Sequence, residues 1–180
     1  MGASAGTTFA DRATAPIQNM PGTELQLVSF HVGGEEFGLD ILRVQEIIRV
    51  QHLTRVPNAP ASINGVMNLR GKIIPVVALR RHFGLETVPA DKQTRIVVVE
   101  VKGTVLGFIV DSVSEVLRIS ASTVEPPPHL GKIEQEYVSG VGKIDDRLLI
   151  LLDVDRLIND DDLAGVSQAQ NSPAREEARG

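Results

Sequence analysis

The chain has 180 residues, 42% of them hydrophobic but only 3% aromatic, with no cysteine and a net charge of −5. That is enough apolar material for one ordinary domain, or two very small ones sharing an interface, with a core built from Val, Ile and Leu. Lack of cysteine excludes disulfides and thiolate metal sites and fits a reducing cytoplasm, and the acidic balance argues against nucleic acid, whose phosphates call for a surplus of Lys and Arg.

Residues 1–23 are rich in Ala, Thr, Gly and Pro without periodicity and are expected to be a disordered tail. They lack the basic start and apolar stretch of a secretory signal. No apolar run reaches the roughly 18–20 residues that span a bilayer, so no direct membrane insertion is expected. The folded part then yields strands at about 25–32, 35–41, 44–50, 63–69 and 72–78. VQEIIRVQ also has helical spacing at Val44, Ile47 and Ile48, but it is short, β-branched and flanked by Gly and Pro, so it is assigned as strand. A second series follows at about 94–101, 104–110, 113–119, 138–144 and 147–152. Gly33-Gly34 and Lys102-Gly103 are two-residue hairpin signals, and Arg70-Gly71 and Asp145-Asp146 close a later hairpin in each series. Pro75 removes a backbone donor, which predicts an edge strand or bulge there. Short helices are expected over Leu79–Phe83 and Val154–Ile158, and Asp153 reads as a helix N-cap. Residues 163–180 form a second polar tail, expected to be disordered.

The two series are copies. Gly65-Val66 aligns with Gly140-Val141, Lys72-Ile73-Ile74 with Arg147-Leu148-Leu149, and Arg81 with Arg156, all at an offset of 75. Upstream, Gly34, Gly38, Val44, Glu46 and Arg49 align with Gly103, Gly107, Val113, Glu115 and Arg118 at an offset of 69. The six extra residues of the second copy fall near Pro126-Pro127-Pro128, an extended loop by composition. Five short strands per copy have too many edges to stay flat, and closing each set into a small barrel removes that liability. The expectation is two tandem five-stranded β-barrels, the first over about 24–84 and the second over about 93–158.

Catalytic chemistry finds no support. His31, His52, His82 and His129 are scattered without ligand spacing, so no metal is expected. No glycine-rich phosphate loop occurs, and the serines have no adjacent base. No cofactor and no enzymatic activity are expected. What stands out instead is Glu46, which alternation places on the same strand face as Val44, Ile48 and Val50, and Glu115 in the same place in the second copy. A carboxylate there is costly unless it is paired, lies at a rim or is turned outward by a bulge. Arg70 at a hairpin tip reads locally as a solvated turn residue.

The segments FGLDILRVQEIIRV, RVPNAPASINGVMNLRGKIIPVVALRRHFG and VSGVGKIDDRLLILLDVDRLI resemble the bacterial chemotaxis coupling protein family CheW, over about Leu25 to Ile158. The resemblance implies a CheW-like domain over 24–162, mainly β, with two SH3-like five-stranded barrels capped by short helices. It implies a non-enzymatic cytoplasmic adaptor, recruited to membrane receptor arrays. Its partners would be the cytoplasmic tips of methyl-accepting chemoreceptors and the C-terminal CheW-like regulatory domain of the histidine kinase CheA. On the matching positions, Val44, Glu46, Gly65, Asn68, Arg70 and Gly71 would lie at or beside the receptor contact, and Gly107 and Val116 on the second barrel would serve the kinase. Neither the kinase's own catalytic domains nor the receiver domain of the fused adaptor CheV is expected beside the CheW-like domain in these 180 residues. An adaptor of a parallel pathway for surface motility, biofilm formation or development is the alternative. A nucleic-acid-binding double barrel is disfavoured by the lack of aromatic platforms and basic charge, and a small hydrolase by the lack of a nucleophile and base.

Overall fold

The computed structural model describes residues 23–127 and 135–158, with 162 and 164; the two tails and Pro128 of the proline-rich loop lie outside them. Eleven strands run in the order β1 (Glu24–Val32), β2 (Glu35–Asp40), β3 (Val44–Arg49), β4 (Ile63–Leu69), β5 (Lys72–Ala78), β6 (Arg95–Val101), β7 (Thr104–Val110), β8 (Ser112–Ser120), β9 (Val124–Glu125), β10 (Val138–Ile144) and β11 (Arg147–Leu152). Helix α1 (Leu79–His82) follows β5, and α2 (Val154–Leu157) follows β11. The ten expected strands all form, and the ambiguous VQEIIR segment is β3. The two-residue β9 carries no signal of its own in the sequence.

The strands assemble differently from the expected division at 24–84 and 93–158. One sheet has the order β8-β1-β2-β11-β10-β9 and the other β3-β6-β7-β5-β4. The first hairpin of each copy, β1-β2 or β6-β7, is therefore inserted into the sheet formed by the other copy. The exchange is symmetric: Leu151 faces Gly38 in one parallel ladder and Val76 faces Gly107 in the other, and these positions are repeat-equivalent. The cause is the short link between second and third strands. Asp111 alone joins β7 to β8, and the single 3₁₀ turn Ile41–Arg43 joins β2 to β3. A hairpin reversal that tight favours residues at positive φ. Gly33, Gly34, Arg70, Gly71, Lys102, Gly103 and Asp145 supply them at the hairpins, and none falls at these links. The chain therefore runs straight on into the opposite sheet.

Pro75 corrects half of an expectation. Its strand β5 is not an edge but lies between β7 and β4, and the ladder with β4 has its bulge next to it, opposite Val76 and Val77. The missing donor is tolerated because the ladder with β7 begins only at Val76.

Each sheet wraps its own apolar cluster. Leu27, Ile119, Val124, Leu149 and Leu151 fill one, and Met67, Ile74, Val76, Ile96 and Val98 the other. A third cluster lies between the sheets, where Phe30, Phe37 and Leu39 of one exchanged hairpin meet Val97, Val99, Leu106 and Phe108 of the other. Both faces of the exchanged strands are thus buried along their middles, which explains the consecutive buried residues Leu27–Phe30 and Ile96–Val99. Aromatic contacts run across this middle layer from Phe30 to Phe37 to Phe83 to Tyr137, at centroid distances of 5.9, 5.1 and 5.4 Å. Each such pair is worth about 0.5–1.5 kcal/mol beyond its buried area.

Two ion pairs pin the crossovers. Asp111 receives Arg80 Nε at 2.8 Å and Nη2 at 2.7 Å, and also the Gly33 N–H at 2.8 Å. Arg80 and the Gly33 N–H hold the Asp111 carboxyl below its ordinary value, against the opposing effect of partial burial. At the other crossover Arg43 binds Asp155. Asp155 is the repeat equivalent of Arg80, so the two straps have inverted charge. Asp153 caps α2, accepting the Asp155 N–H at 3.0 Å, as expected.

Candidate functional site

The strand ladders leave a seam in each sheet, and charged side chains bridge it. In the β3-β6-β7-β5-β4 sheet the outer strands are β3 and β4. Glu46 on β3 reaches Arg70 in the β4-β5 turn, which donates Nη1 to Oε2 at 2.7 Å and Nη2 to Oε1 at 2.5 Å. This fork-on-carboxylate geometry fixes both side chains. Hydrogen bonding from Arg70, with its charge, holds the Glu46 carboxyl below its ordinary value despite some desolvation, and Glu46 raises Arg70 in return.

The turn beneath is built for that reach. Arg70 has φ +52° and Gly71 φ +85°, and Asn68 Oδ1 accepts the Gly71 N–H at 2.8 Å, an Asx-type closure. A bulge at Gln45, between the pairings of Val44 with Val99 and Glu46 with Val98, adjusts β3. Glu46 still points to the inner side with Ile48 but stops at the rim, its side chain 22% exposed against 73% for Arg70. The carboxylate therefore combines two of the conditions the sequence allowed, a rim position and a partner.

Four of the six residues expected at the receptor contact, Glu46, Asn68, Arg70 and Gly71, meet in this corner. Val44 begins the bulge, half-buried against the central cluster. Gly65 is buried: a Cβ there would lie 2.8 Å from the Thr54 carbonyl oxygen. Thr54 and Val66 exchange backbone hydrogen bonds, both 2.8 Å, so Gly65 lets residues around Leu53-Thr54 lie along β4. Its role is to shape this edge.

The two residues expected to serve the kinase separate. Gly107 lies on β7, inside the same sheet as Glu46, where a Cβ would stand 2.7 Å from Ile96 Cγ2. It is a packing glycine. Val116 is 56% exposed on β8, an outer strand of the other sheet.

Beside Val116 lies the equivalent corner. Arg147 donates Nη2 to Glu115 Oε2 at 3.0 Å and its Nε lies 3.2 Å from Glu36 Oε1. Glu36 is 8% exposed, and its Oε2 has no hydrogen-bond partner. Leu148, 59% exposed, is next to Arg147. Glu36 and Arg147 were missed in the sequence. The available signal was the repeat itself, since Glu36 falls on Val105 of the second copy.

A groove of about 290 Å³ lies elsewhere, lined by Leu25, Leu27, Leu42 and Leu151, and another of about 390 Å³ by Arg55, Pro60 and Arg81; neither includes the six residues. Among the described residues no cluster of His, Asp or Glu is placed to hold a metal ion, and no helix is long and apolar enough to cross a membrane.

Paired SH3-like sheets presenting braced, charged outer corners define a protein-docking module. A family model for the CheW-like domain matches residues 26–162. The chain is 38% identical over 148 residues to the chemotaxis protein CheW of Klebsiella aerogenes, covering 82% of this chain and 89% of that protein. It is 36% identical over 137 residues to that of Helicobacter pylori, covering 76% and 83%. The crystal structure of the scaffolding protein TtCheW from Thermoanaerobacter tengcongensis superposes with a TM-score of 0.71 at 38% identity, covering 79% of this chain and 96% of that one. The chain belongs to the CheW family.

Proposed function

We propose that this protein is a non-enzymatic chemotaxis adaptor that couples transmembrane chemoreceptors to the histidine kinase CheA. The supporting observation is the braced Glu46–Arg70 corner in a chain of the CheW family. A receptor tip is a helical hairpin, and one helical face can dock by apolar anchors at i, i+3 and i+4 while a fixed pair of opposite charges sets its register. Glu46 and Arg70 would contact the tip directly, with Val44 beside them. Asn68, Gly65 and Gly71 would hold the turn and edge that present them. The kinase's CheW-like domain would meet the other sheet around Val116, and Gly107 would act through packing. Such a protein works in the cytoplasm and joins the receptor array through these contacts.

Reconstitution with CheA and a receptor-tip fragment tests the reading. Kinase phosphorylation should respond to the receptor only when this protein is present. Arg70→Ala and Glu46→Ala should each lower receptor coupling about tenfold or more while leaving cooperative unfolding intact. Wild-type receptor binding by a folded double variant would remove the corner from the receptor contact. Indifference of the wild-type chain to both proteins would remove the function.

A further inference from the structure

The two crossovers are finished differently. The segment entering β6, residues 84–93, is tied to the Asp111 crossover: Arg80, which holds Asp111, also donates Nη1 to the Glu86 carbonyl at 3.0 Å. The chain then turns at Asp91, whose Oδ1 accepts the Gln93 and Thr94 N–H groups at 2.8 and 3.1 Å. That end of the exchanged hairpin is closed, with Thr94 7% and Val110 0% exposed. At the other crossover, 69 positions earlier, Thr94, Val110 and Asp111 are replaced by Leu25, Ile41 and Leu42. Leu25 and Ile41 are only half-buried. Leu42, at 87%, is the most exposed large apolar side chain among the described residues. With Leu27, Leu151 and Leu152 these three line the groove of about 290 Å³. One crossover is thus closed by the chain that enters its hairpin, and the other presents an apolar groove.

The segment in the matching place is 15–24, and its sequence suits that groove. Pro21-Gly22 just ahead of β1 is a type II turn signal, and Gly22 falls on Asp91 of the other copy. A turn there directs the preceding residues back along β1. Those residues include Ile17 and Met20, three apart and following Pro16. In the polyproline II conformation that proline favours, residues three apart share one edge. Met20 lies four residues before Glu24, a reach of roughly 13 Å from the rim of the groove.

We propose that residues 16–20 seat on this groove, with Ile17 and Met20 against Leu25 and Leu42, and so close the second crossover as residues 84–93 close the first. The occupant comes from the same molecule. Its seating needs neither receptor nor kinase and stands apart from the function proposed above.

The chain contains no cysteine, so pairs of introduced cysteines in the full chain report on the segment alone. Asn19→Cys is combined with Ser139→Cys, on the β10 wall of the groove, or with Arg118→Cys, exposed on the other side of β1 opposite Gln26. In a glutathione redox buffer the first pair should close with an effective concentration about tenfold or more above that of the second. Adding Ile17→Glu and Met20→Glu should bring the first pair down to the level of the second. Methyl NMR of the unmodified full chain gives a second measurement: the Met20 methyl should show NOEs to the methyls of Leu25 or Leu42. Equal closure of the two pairs overturns the proposal, as does indifference of the first pair to the glutamates. A Met20 methyl without contact to either leucine overturns it as well. Disulfide-linked dimers whose yield rises with protein concentration overturn it and assign the groove to a second copy. A receptor-tip fragment that perturbs Leu25 and Leu42 while Met20 shows no contact overturns it and assigns the groove to that partner.

Discussion

Apart from the extra β9 at one edge, the two sheets share one strand order and one exchange of hairpins, yet their seams are bridged differently. In the sheet holding β3, Glu46 meets a single arginine at the turn, and the interior behind it is aliphatic, with Val98 and Val105 beside Ile74 and Met67. In the sheet holding β8, Glu115 shares Arg147 with buried Glu36, and Ser29, fully buried, replaces Val98. Ser29 Oγ and Glu36 Oε2 have no hydrogen-bond partner. One corner is thus an exposed latch over an apolar interior. The other is a latch rooted in a buried carboxylate, and the same change of charge should have consequences of different size at the two places.

The largest expected effect breaks that root. Arg147→Met leaves Glu36 buried without its cation and should cost about 3 kcal/mol of unfolding free energy at neutral pH. The equivalent Lys72→Met should cost almost nothing. Adding Glu36→Val, the residue of the other copy, should recover most of the loss, and a double-mutant cycle from urea unfolding checks this. An Arg147→Met protein as stable as wild type would show that Glu36 is not dependent on it.

Next come the equivalent glycines Gly38 and Gly107. A Cβ at Gly107 would stand 2.7 Å from Ile96 Cγ2, a branched atom close to its backbone, whereas one at Gly38 would meet Leu149 Cδ2 at 3.1 Å, a side-chain end that can swing. Gly107→Ala should therefore lose about 2 kcal/mol to overpacking and Gly38→Ala about 1 or less, measured as shifts in unfolding midpoint. Equal losses would mean that the two sheets are packed alike after all.

The crossover straps sharpen the comparison through pH. The folded carboxyl of Asp111 titrates below its unfolded value of about 3.9. Its contribution is therefore complete above about pH 4 and disappears as pH falls through the depressed folded value. Arg80→Met should lower stability by about 2 kcal/mol near neutrality and flatten the acid limb of the stability–pH curve. An unchanged acid limb would assign that limb to other carboxylates.

The smallest effect concerns the turns. Asp145 has φ +52°, where glycine carries no steric penalty, so Asp145→Gly should stabilise by about 0.5 kcal/mol. At Arg70, with the same φ, the relief from glycine is offset by loss of the bidentate pair. The measurement is the difference in unfolding midpoint between the two glycine variants.

Much of this molecule was legible in the sequence because its signals are local. Alternation, β-branched runs and Gly-centred hairpins placed ten strands. Asp153 was recognisable as a cap because its partner, the Asp155 N–H, lies two residues away. The duplication identified Glu46 and Glu115 as equivalent anomalies. Glu36 was hidden because EEFGLD alternates like any half-buried strand, and nothing nearby announces that its cation sits on β11. Gly107 was assigned to the second barrel because it belongs to the second copy, and the strand exchange carries it into the other sheet.

The amino-acid order therefore determined the strands, their turns and the existence of two copies, since each depends on φ preferences and periodicity within a few residues. Only the tertiary structure decided which copy each hairpin joins and which charges meet at the seams. Those outcomes depend on links too short and too poor in positive φ to reverse, and on contacts between residues 24 to 112 positions apart, from Arg70–Glu46 to Arg43–Asp155. Strand periodicity alone fixes neither the partner sheet of a hairpin nor the pairing of distant charges.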